Sequence, residues 1–563
     1  MKRSFWLMGA IIGFLTSLVA MAISYLGNIW VGLPFFPFDL FDWLTRHLPG
    51  SIIEFVLRSM IALITALHLG PTASTAKLAE QVQALALVAA TGIVFGLVLV
   101  WMRQKHKDRL WTAAQIGGGL LWLGMAVVEF SLPSAPVAGI FMGLIWLLIL
   151  LEGWGWQLAR FLLIFTPEPV RVAAIEPEQP SEIHPTALDK KITRRNMLGL
   201  LGASLVSAIL LLTGLAKFRQ TGSIGSSTET AAGPSVPTPI PHQIPFGPEY
   251  TSGAAASPSP AVLAARIEPA PGTRPEIDTP AQFYRVDINM IPPNVDAATW
   301  RLNLTGLVQN PLSLTLDEIW ARPSVSQAVT LSCVSNPVGG DLIGSNYWTG
   351  LRFKDILAEA GVQAGAQEIA INSQDGFYEG LPLSEAMDER TLLVYAMNGQ
   401  PLTVEHGFPL RLYAPGHYGM KLPKWITAMK VTNQPESGYW VDRGWSATAI
   451  PQTTSVIDTT TVNANDLKAT GILPLGGIAW AGDRGISKVE VQIDNDPWLA
   501  AELRSPAISP LTWIQWRYDW KPAPGRHVIQ VRATDGAGAL QVATFSEPQP
   551  EGATGIDNVM INI

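Results

Sequence analysis

Cys333 is the single cysteine among 563 residues and stands in Leu331-Ser332-Cys333-Val334-Ser335-Asn336-Pro337-Val338-Gly339-Gly340, a turn-rich stretch that ends a β-branched run. A lone thiol cannot be half of an internal disulfide, so its uses are packing as a small hydrophobe, nucleophilic attack, or metal ligation. The next chemically rich stretch runs His406-Gly407-Phe408-Pro409-Leu410-Arg411 and on through Gly416-His417-Tyr418-Gly419-Met420-Lys421-Leu422-Pro423-Lys424-Trp425. It places His406, Arg411, Lys421 and Lys424 around glycine turns, a composition suited to gripping a phosphorylated, hydrogen-bond-rich cofactor. Arginine offers a planar fork to phosphate, and lysine a point charge. The same residues would also serve as ordinary surface cations on a strand and loop.

Three motifs in order, Cys333-x-x-Asn336, His406-Gly-Phe-Pro-x-Arg411 and Gly419-x-Lys421-x-x-Lys424-Trp425, resemble the molybdopterin-binding domain of the sulfite oxidase family, over about residues 280 to 563. The resemblance implies a molybdenum-molybdopterin cofactor, with the metal held by the pterin dithiolene and by one protein thiolate, Cys333. It also implies cofactor contacts from Tyr284, Arg285 and Asn289 upstream and from His406, Arg411, Lys421 and Lys424 downstream, with Asn336 and Ser335 close enough in sequence to hydrogen-bond the sulfur. A soft thiolate suits two-electron oxygen-atom transfer by such a centre.

The sequence departs from that family where a sulfite anion would be held. Asp287 and Pro337-Val338 occupy positions where the family places arginines, and a carboxylate repels a dianion. The expected substrate is therefore a neutral or cationic small molecule such as a sulfoxide or N-oxide. Sulfite oxidation and a non-enzymatic surface protein of degenerate fold are the alternatives. Tyr418, Tyr439, Trp440, Asp442 and Trp445 are candidates for the mouth of the site, against the plainer reading of aromatic core packing.

The elements that must position these residues read as a mixed α+β domain over 279–450. Trp300, Leu302 and Leu304 alternate with polar residues as in a half-buried strand. Thr315 and Glu318 form a capping box, and Phe353, Ile356, Leu357 and Ala360 give a helical face closed by Gly361. Leu392–Tyr395 runs into Asn398-Gly399, a hairpin signal. Strands and helices alternate without a βαβ rhythm, so no doubly wound sheet is expected. Over 451–563, Val489, Val491 and Ile493, then Ile514, Trp516, Tyr518 and Trp520, then Ile529, Val531 and Ala533 alternate with turns between them. That spacing predicts an immunoglobulin-like β-sandwich, which in the family often serves dimerisation.

Residues 1–216 differ in kind. Five apolar runs at about 5–25, 84–101, 110–130, 137–162 and 197–216 each approach the length that spans hydrocarbon, giving an α-helical transmembrane bundle. A sixth, 52–70, carries Glu54 and Arg58, whose insertion at about 2.5 to 3.5 kcal/mol each roughly cancels its apolar gain. Arg103, Lys105, Lys107 and Arg109 crowd one loop, and Lys190, Lys191, Arg194 and Arg195 precede the last run. Both clusters belong on the cytoplasmic side, which sends everything after residue 216 outside. Thr193-Arg194-Arg195-Asn196-Met197-Leu198 resembles a twin-arginine export signal. Residues 217–278, rich in Pro, Ser, Ala and Thr, read as a disordered tether with an end-to-end distance on the order of 40 Å.

The net charge of −7 and the lack of a basic block in the soluble half exclude nucleic acid as a partner. One cysteine excludes an iron–sulfur cluster, and His68 is the sole histidine in a candidate span, with His47 and His106 in loops, which argues against a bis-histidine haem. Electrons must then come from or go to a redox partner or a quinone.

Overall fold

The computed structural model describes residues 2–48, 72–106, 109–132, 138–165, 187–221, 259–459, 467 and 471–563. The 52–70 segment and most of the 217–278 tether lie outside these residues. The chain divides into two compact units, one helical and N-terminal, the other holding the C-terminal sheets.

The helical unit contains α1 (Lys2–Val31), α2 (Phe36–His47), α3 (Thr72–Lys105), α4 (Leu110–Ser131), α5 (Ile140–Phe165) and α6 (Ala187–Thr221). All but α2 contain a stretch long and apolar enough to cross a membrane: Phe5–Val31, Thr75–Lys105, Leu110–Ser131, Ile140–Phe165 and Arg195–Gly214. These are the five runs expected from hydropathy. Small residues let the helices close: a Cβ on Gly13 would stand 2.1 Å from the Gly92 carbonyl oxygen, and one on Gly96 would stand 2.2 Å from that of Gly9. A buried bond from Trp154 Nε1 to Thr16 Oγ1, 3.1 Å, ties α5 to α1. The short helix α2, with a proline in its first turn and Phe36 and Phe38 buried, was not anticipated.

The C-terminal unit begins earlier than the expected boundary at 279. Ser259 caps α7 (Pro260–Ala264), Ala270 is buried, Arg266 pairs with Glu276 at 2.8 Å, and Arg274 pairs with Asp458 at 2.7 Å. Alanine and proline gave this stretch the composition of a tether, but its charged residues find partners and fold it onto the unit.

The first part of this unit contains β1 (Arg301–Gly306), β2 (Leu312–Thr315), β3 (Val325–Ser332), β4 (Ile343–Arg352), β5 (Glu368–Ser373), β6 (Tyr378–Pro382), β7 (Leu392–Met397), β8 (Gln400–Pro401), β9 (Arg411–Tyr413) and β10 (Ile426–Thr432). One sheet runs β2-β1-β10-β5-β6 and the other β3-β4-β7-β8, with β9 also on β7. Among the described residues only β1 and β10 pair in parallel; every other neighbour in the two sheets is antiparallel. One core of Leu302, Leu304, Phe353, Ile371, Leu393 and their neighbours joins both sheets. The Thr315–Glu318 capping box forms, Gly361 closes its helix at φ +68°, and Asn398 and Gly399 take φ of +50° and +74° in the tight turn their sequence called for.

The second part contains β11 (Thr454–Ile457), β12 (Leu473–Trp480), β13 (Ile486–Ile493), β14 (Leu499–Ala500), β15 (Glu502–Leu503), β16 (Ile514–Trp520), β17 (Arg526–Asp535) and β18 (Asp557–Asn562). Two antiparallel four-stranded sheets, β11-β12-β16-β15 and β14-β13-β17-β18, share a core built from Leu475, Val489, Val491, Trp516, Ile529 and Val531. These are the inward positions of the period-two pattern.

Candidate functional site

Cys333 is the first residue after β3, at the base of the loop that returns to β4. Its backbone N–H donates to the Leu342 carbonyl at 2.9 Å, and its carbonyl accepts from Asn336 N at 3.1 Å, so both ends of the loop are fixed. Asn336 Oδ1 accepts from Leu342 N at 2.9 Å, and a Cβ on Gly340 would fall 2.3 Å from that oxygen. Asn336 thus braces the loop with its carbonyl. The side chain that meets the sulfur is Ser335, whose Oγ lies 3.0 Å from Cys333 Sγ. Burial pushes the Cys333 thiol up, against the opposing pull of the Ser335 contact, two backbone N–H groups and Lys424. A buried sulfur of this kind becomes a thiolate when a metal takes it.

A group of buried cations faces this loop. β9 carries Arg411 into the interior, where its guanidinium lies 4.7 Å from the centre of the Trp348 ring and donates to the His406 carbonyl at 3.2 Å. Burial pulls Arg411 down to about 10. Lys424 Nζ lies 3.1 Å from the Glu405 carbonyl and 3.4 Å from Asp287 Oδ2, and burial lowers it to about 8. Arg285 Nε lies 2.6 Å from Asp287 Oδ2, and the Asp287 side chain is wholly buried. Burial, reinforced by Lys424, Arg411 and Arg285, takes His406 down to about 3. His406 is therefore neutral, and its Nε2, 2.9 Å from the Pro280 carbonyl, is the protonated nitrogen. Gly407, at φ +107°, brings the backbone between the cations: a Cβ there would stand 3.1 Å from Lys424 Cβ and 3.2 Å from Arg411 Cβ.

Tyr284 links the two halves. Burial and the Cys333 sulfur push its hydroxyl up while Arg411 pulls it down, and a Cβ on Gly419 would stand 3.0 Å from its oxygen. Asn289 is buried in the same upstream stretch. Lys421 behaves differently from Lys424: its ammonium is 2.7 Å from Glu379 Oε1, on a carboxylate whose side chain is completely buried. Sequence reading gave no sign of Glu379, which lies on β6, remote in sequence.

These residues fit a phosphorylated cofactor. Arg411 is buried with no carboxylate partner among the described residues, whereas Lys424 draws on both Asp287, which it shares with Arg285, and the buried Asp375. Unmatched buried cations are costly unless an anion joins them. Among the described residues no group of three or more His, Cys, Asp or Glu could hold an ion. A metal beside Cys333 would therefore bring most of its ligands with it, as a pterin dithiolene does.

The family described as "Oxidoreductase molybdopterin binding domain" matches residues 289–440. YuiH of Bacillus subtilis, described as an uncharacterized oxidoreductase, is 35% identical over 155 residues, covering 28% of this chain and 76% of its own. YedZ1 of Azospira oryzae, a proposed protein-methionine-sulfoxide reductase subunit, is 36% identical over 152 residues, covering 27% of this chain and 56% of its own. The mitochondrial sulfite oxidase of Macaca fascicularis is 30% identical over 290 residues, covering 44% of this chain and 53% of its own. The chain thus spans little more than half the length of the last two. The protein is an enzyme, a molybdenum-cofactor oxidoreductase. It belongs to the sulfite oxidase family of molybdopterin-dependent proteins.

Proposed function

We propose that the protein is a membrane-anchored, extracytoplasmic oxidoreductase that moves an oxygen atom to or from a neutral small molecule, a sulfoxide or an N-oxide, rather than oxidising sulfite. The observation that carries this reading is Asp287, a buried carboxylate engaged by Arg285 and Lys424 at a position where the family's sulfite-holding arginine is expected. The other such position is filled by uncharged Pro337-Val338. YedZ1, by its name a sulfoxide reductase subunit, supports the same reading. The cofactor supplies the two-electron chemistry; a sulfoxide takes up two electrons and two protons, its sulfur–oxygen bond breaks, and it leaves as the thioether and water.

Each residue has a distinct part in this reading. Cys333 is the protein ligand to the metal, and Ser335 hydrogen-bonds its sulfur. Arg411, Lys424 and Arg285 hold the phosphate end, neutral His406 and Tyr284 hydrogen-bond the pterin, and Asn289, Asn336 and Lys421 contribute from the loops that frame it. The five apolar helices anchor the enzyme. The basic clusters at 103–109 and 190–195 lie inside, and the sheet-rich unit lies outside. The paired four-stranded sheets form an immunoglobulin-like sandwich through which two copies associate, and electrons are exchanged with a redox partner or a quinone.

Metal and pterin analysis of protein extracted from membranes should give about one molybdenum and one pterin per chain. Turnover of dimethyl sulfoxide and trimethylamine N-oxide with a reduced dye should exceed oxidation of sulfite with ferricyanide. Sulfite as the faster substrate would overturn the assignment in favour of the reaction its sulfite oxidase relatives are named for.

A further inference from the structure

The Cys333 loop has a second wall, made by the far end of the chain. A Cβ on Gly552, itself at φ +89°, would stand 2.4 Å from the Tyr418 hydroxyl oxygen. Gly555 brings the backbone against Val338, and Gly339 brings the Cys333 loop against the Asp557 carboxylate. Tyr418 is buried with Val334, the neighbour of Cys333, and half-buried Trp440 and Trp445 pack on the same cluster. Their rings meet edge to face at 6.4 Å.

Glu551 sits at the lip of this aromatic strip. Its carboxylate accepts the Ser446 hydroxyl, next to Trp445, and its backbone carbonyl accepts from Gln452 Nε2 at 3.2 Å. The other charges nearby offset one another. Asp442 accepts from the Tyr378 hydroxyl at 2.6 Å and from Ser437, while adjacent Arg443 lies 3.5 Å from the centre of the Tyr439 ring and donates to the Tyr439 carbonyl at 2.8 Å. Glu551 is exposed and has no ion-pair partner among the described residues, and Glu547, also exposed, adds a second negative charge in the same segment.

We infer that Glu551 is a specificity-determining residue: with the Trp440–Trp445 strip it selects substrates by charge, admitting a cationic or neutral oxygen carrier and turning away an anionic one. This rests on the oxygen-transfer reading above and extends it to the charge class of the substrate. An aromatic face attracts a cation or a polarisable sulfur. A unit charge at a half-exposed mouth shifts binding of a charged ligand about threefold to tenfold, and salt screens that shift.

The test uses the full-length holoenzyme in detergent and three sulfoxides sharing one methylsulfinyl-alkyl group: 3-(methylsulfinyl)propylamine, a cation; its N-acetyl derivative, neutral and the internal reference; and N-acetylmethionine sulfoxide, an anion. The cation-to-anion ratio of kcat/KM should fall about threefold to tenfold in Glu551→Gln and further in Glu551→Lys. The change should lie in KM and shrink at high ionic strength. A ratio that stays within about twofold in both variants, each with a wild-type melting temperature, overturns the inference. If the wild-type enzyme reduces none of the three, the reaction assigned above fails, and the charge rule is read instead from quenching of tryptophan fluorescence. Glu551→Lys should raise quenching by iodide and lower it by caesium, and no change in either overturns the inference.

Discussion

The two sides of Cys333 are built to opposite specifications. On one, buried Arg411 has no carboxylate partner among the described residues, while Lys424 and part-buried Arg285 share Asp287 and Lys424 also feels the buried Asp375, beside a histidine held neutral. On the other, Tyr418, Trp440 and Trp445 form a packed aromatic strip whose uncompensated charge, on Glu551, faces water. The first side is complete only with an anion in place and bears an electrostatic cost without it. The second is satisfied as it stands, as befits a surface that must release what it binds.

Cys333→Ala probes the pivot between them. The variant should fold and keep its pterin, since the cation group is untouched, but lose turnover by on the order of a hundredfold or more, because a direct ligand should matter at least as much as the groups that orient one. Normal turnover in a pterin-loaded alanine variant would remove the sulfur from the mechanism.

Arg411→Met tests the cation side with two readouts of opposite sign. Loss of a buried charge-assisted contact to phosphate should cost about 2–5 kcal/mol of cofactor binding, read as a drop in pterin per chain. The cofactor-free protein should melt higher than the cofactor-free wild type, because an unmatched buried guanidinium has been replaced by an apolar side chain of similar length. If the cofactor-free variant is less stable, Arg411 is already satisfied by Trp348 and the His406 carbonyl.

Gly552→Ala tests the aromatic side. Positive φ and the 2.4 Å approach to the Tyr418 hydroxyl together should cost about 1–3 kcal/mol of stability. Pterin content should be unchanged. A loss of pterin comparable to that in Arg411→Met would show that the two sides are not separate.

The cation side was legible in the sequence because its parts are local. His406, Arg411 and Lys424 fall within one glycine-punctuated stretch, and Cys333 ends a β-branched run beside a turn. The capping box at Thr315 and the Asn398-Gly399 turn were legible for the same reason. Asn336 and Lys421 belong to the expected motifs, yet Asn336 Oδ1 braces its own loop and Lys421 answers Glu379, since a motif fixes position and not the direction a side chain takes. Gly552, Glu551 and Asp557 were invisible. Their partners Tyr418, Ser446 and Gly339 are remote in sequence, and such contacts leave no periodicity to read. The parallel pairing of β1 with β10 is another tertiary fact of this sort.

Between the two sides lies the loop that carries His417, and its titration gives the smallest effect. Burial pulls His417 down, but the Glu385 carboxylate, 2.7 Å from Nε2, and the Thr448 carbonyl, 2.9 Å from Nδ1, outweigh it and leave the group above the usual histidine value. A histidine raised on folding stabilises fully below its unfolded value of about 6.5, and that contribution is lost as pH rises through the folded value. Glu385→Gln should therefore lower the melting temperature most near pH 6 and progressively less toward pH 9, with the full effect about 1 kcal/mol or less because Glu385 is itself partly exposed. Arg411→Met should show no such trend, since its guanidinium stays charged across that range. A Glu385→Gln deficit that does not vary with pH would mean the contact holds the loop as a neutral hydrogen bond, and the link between the two sides of Cys333 would then be packing without charge.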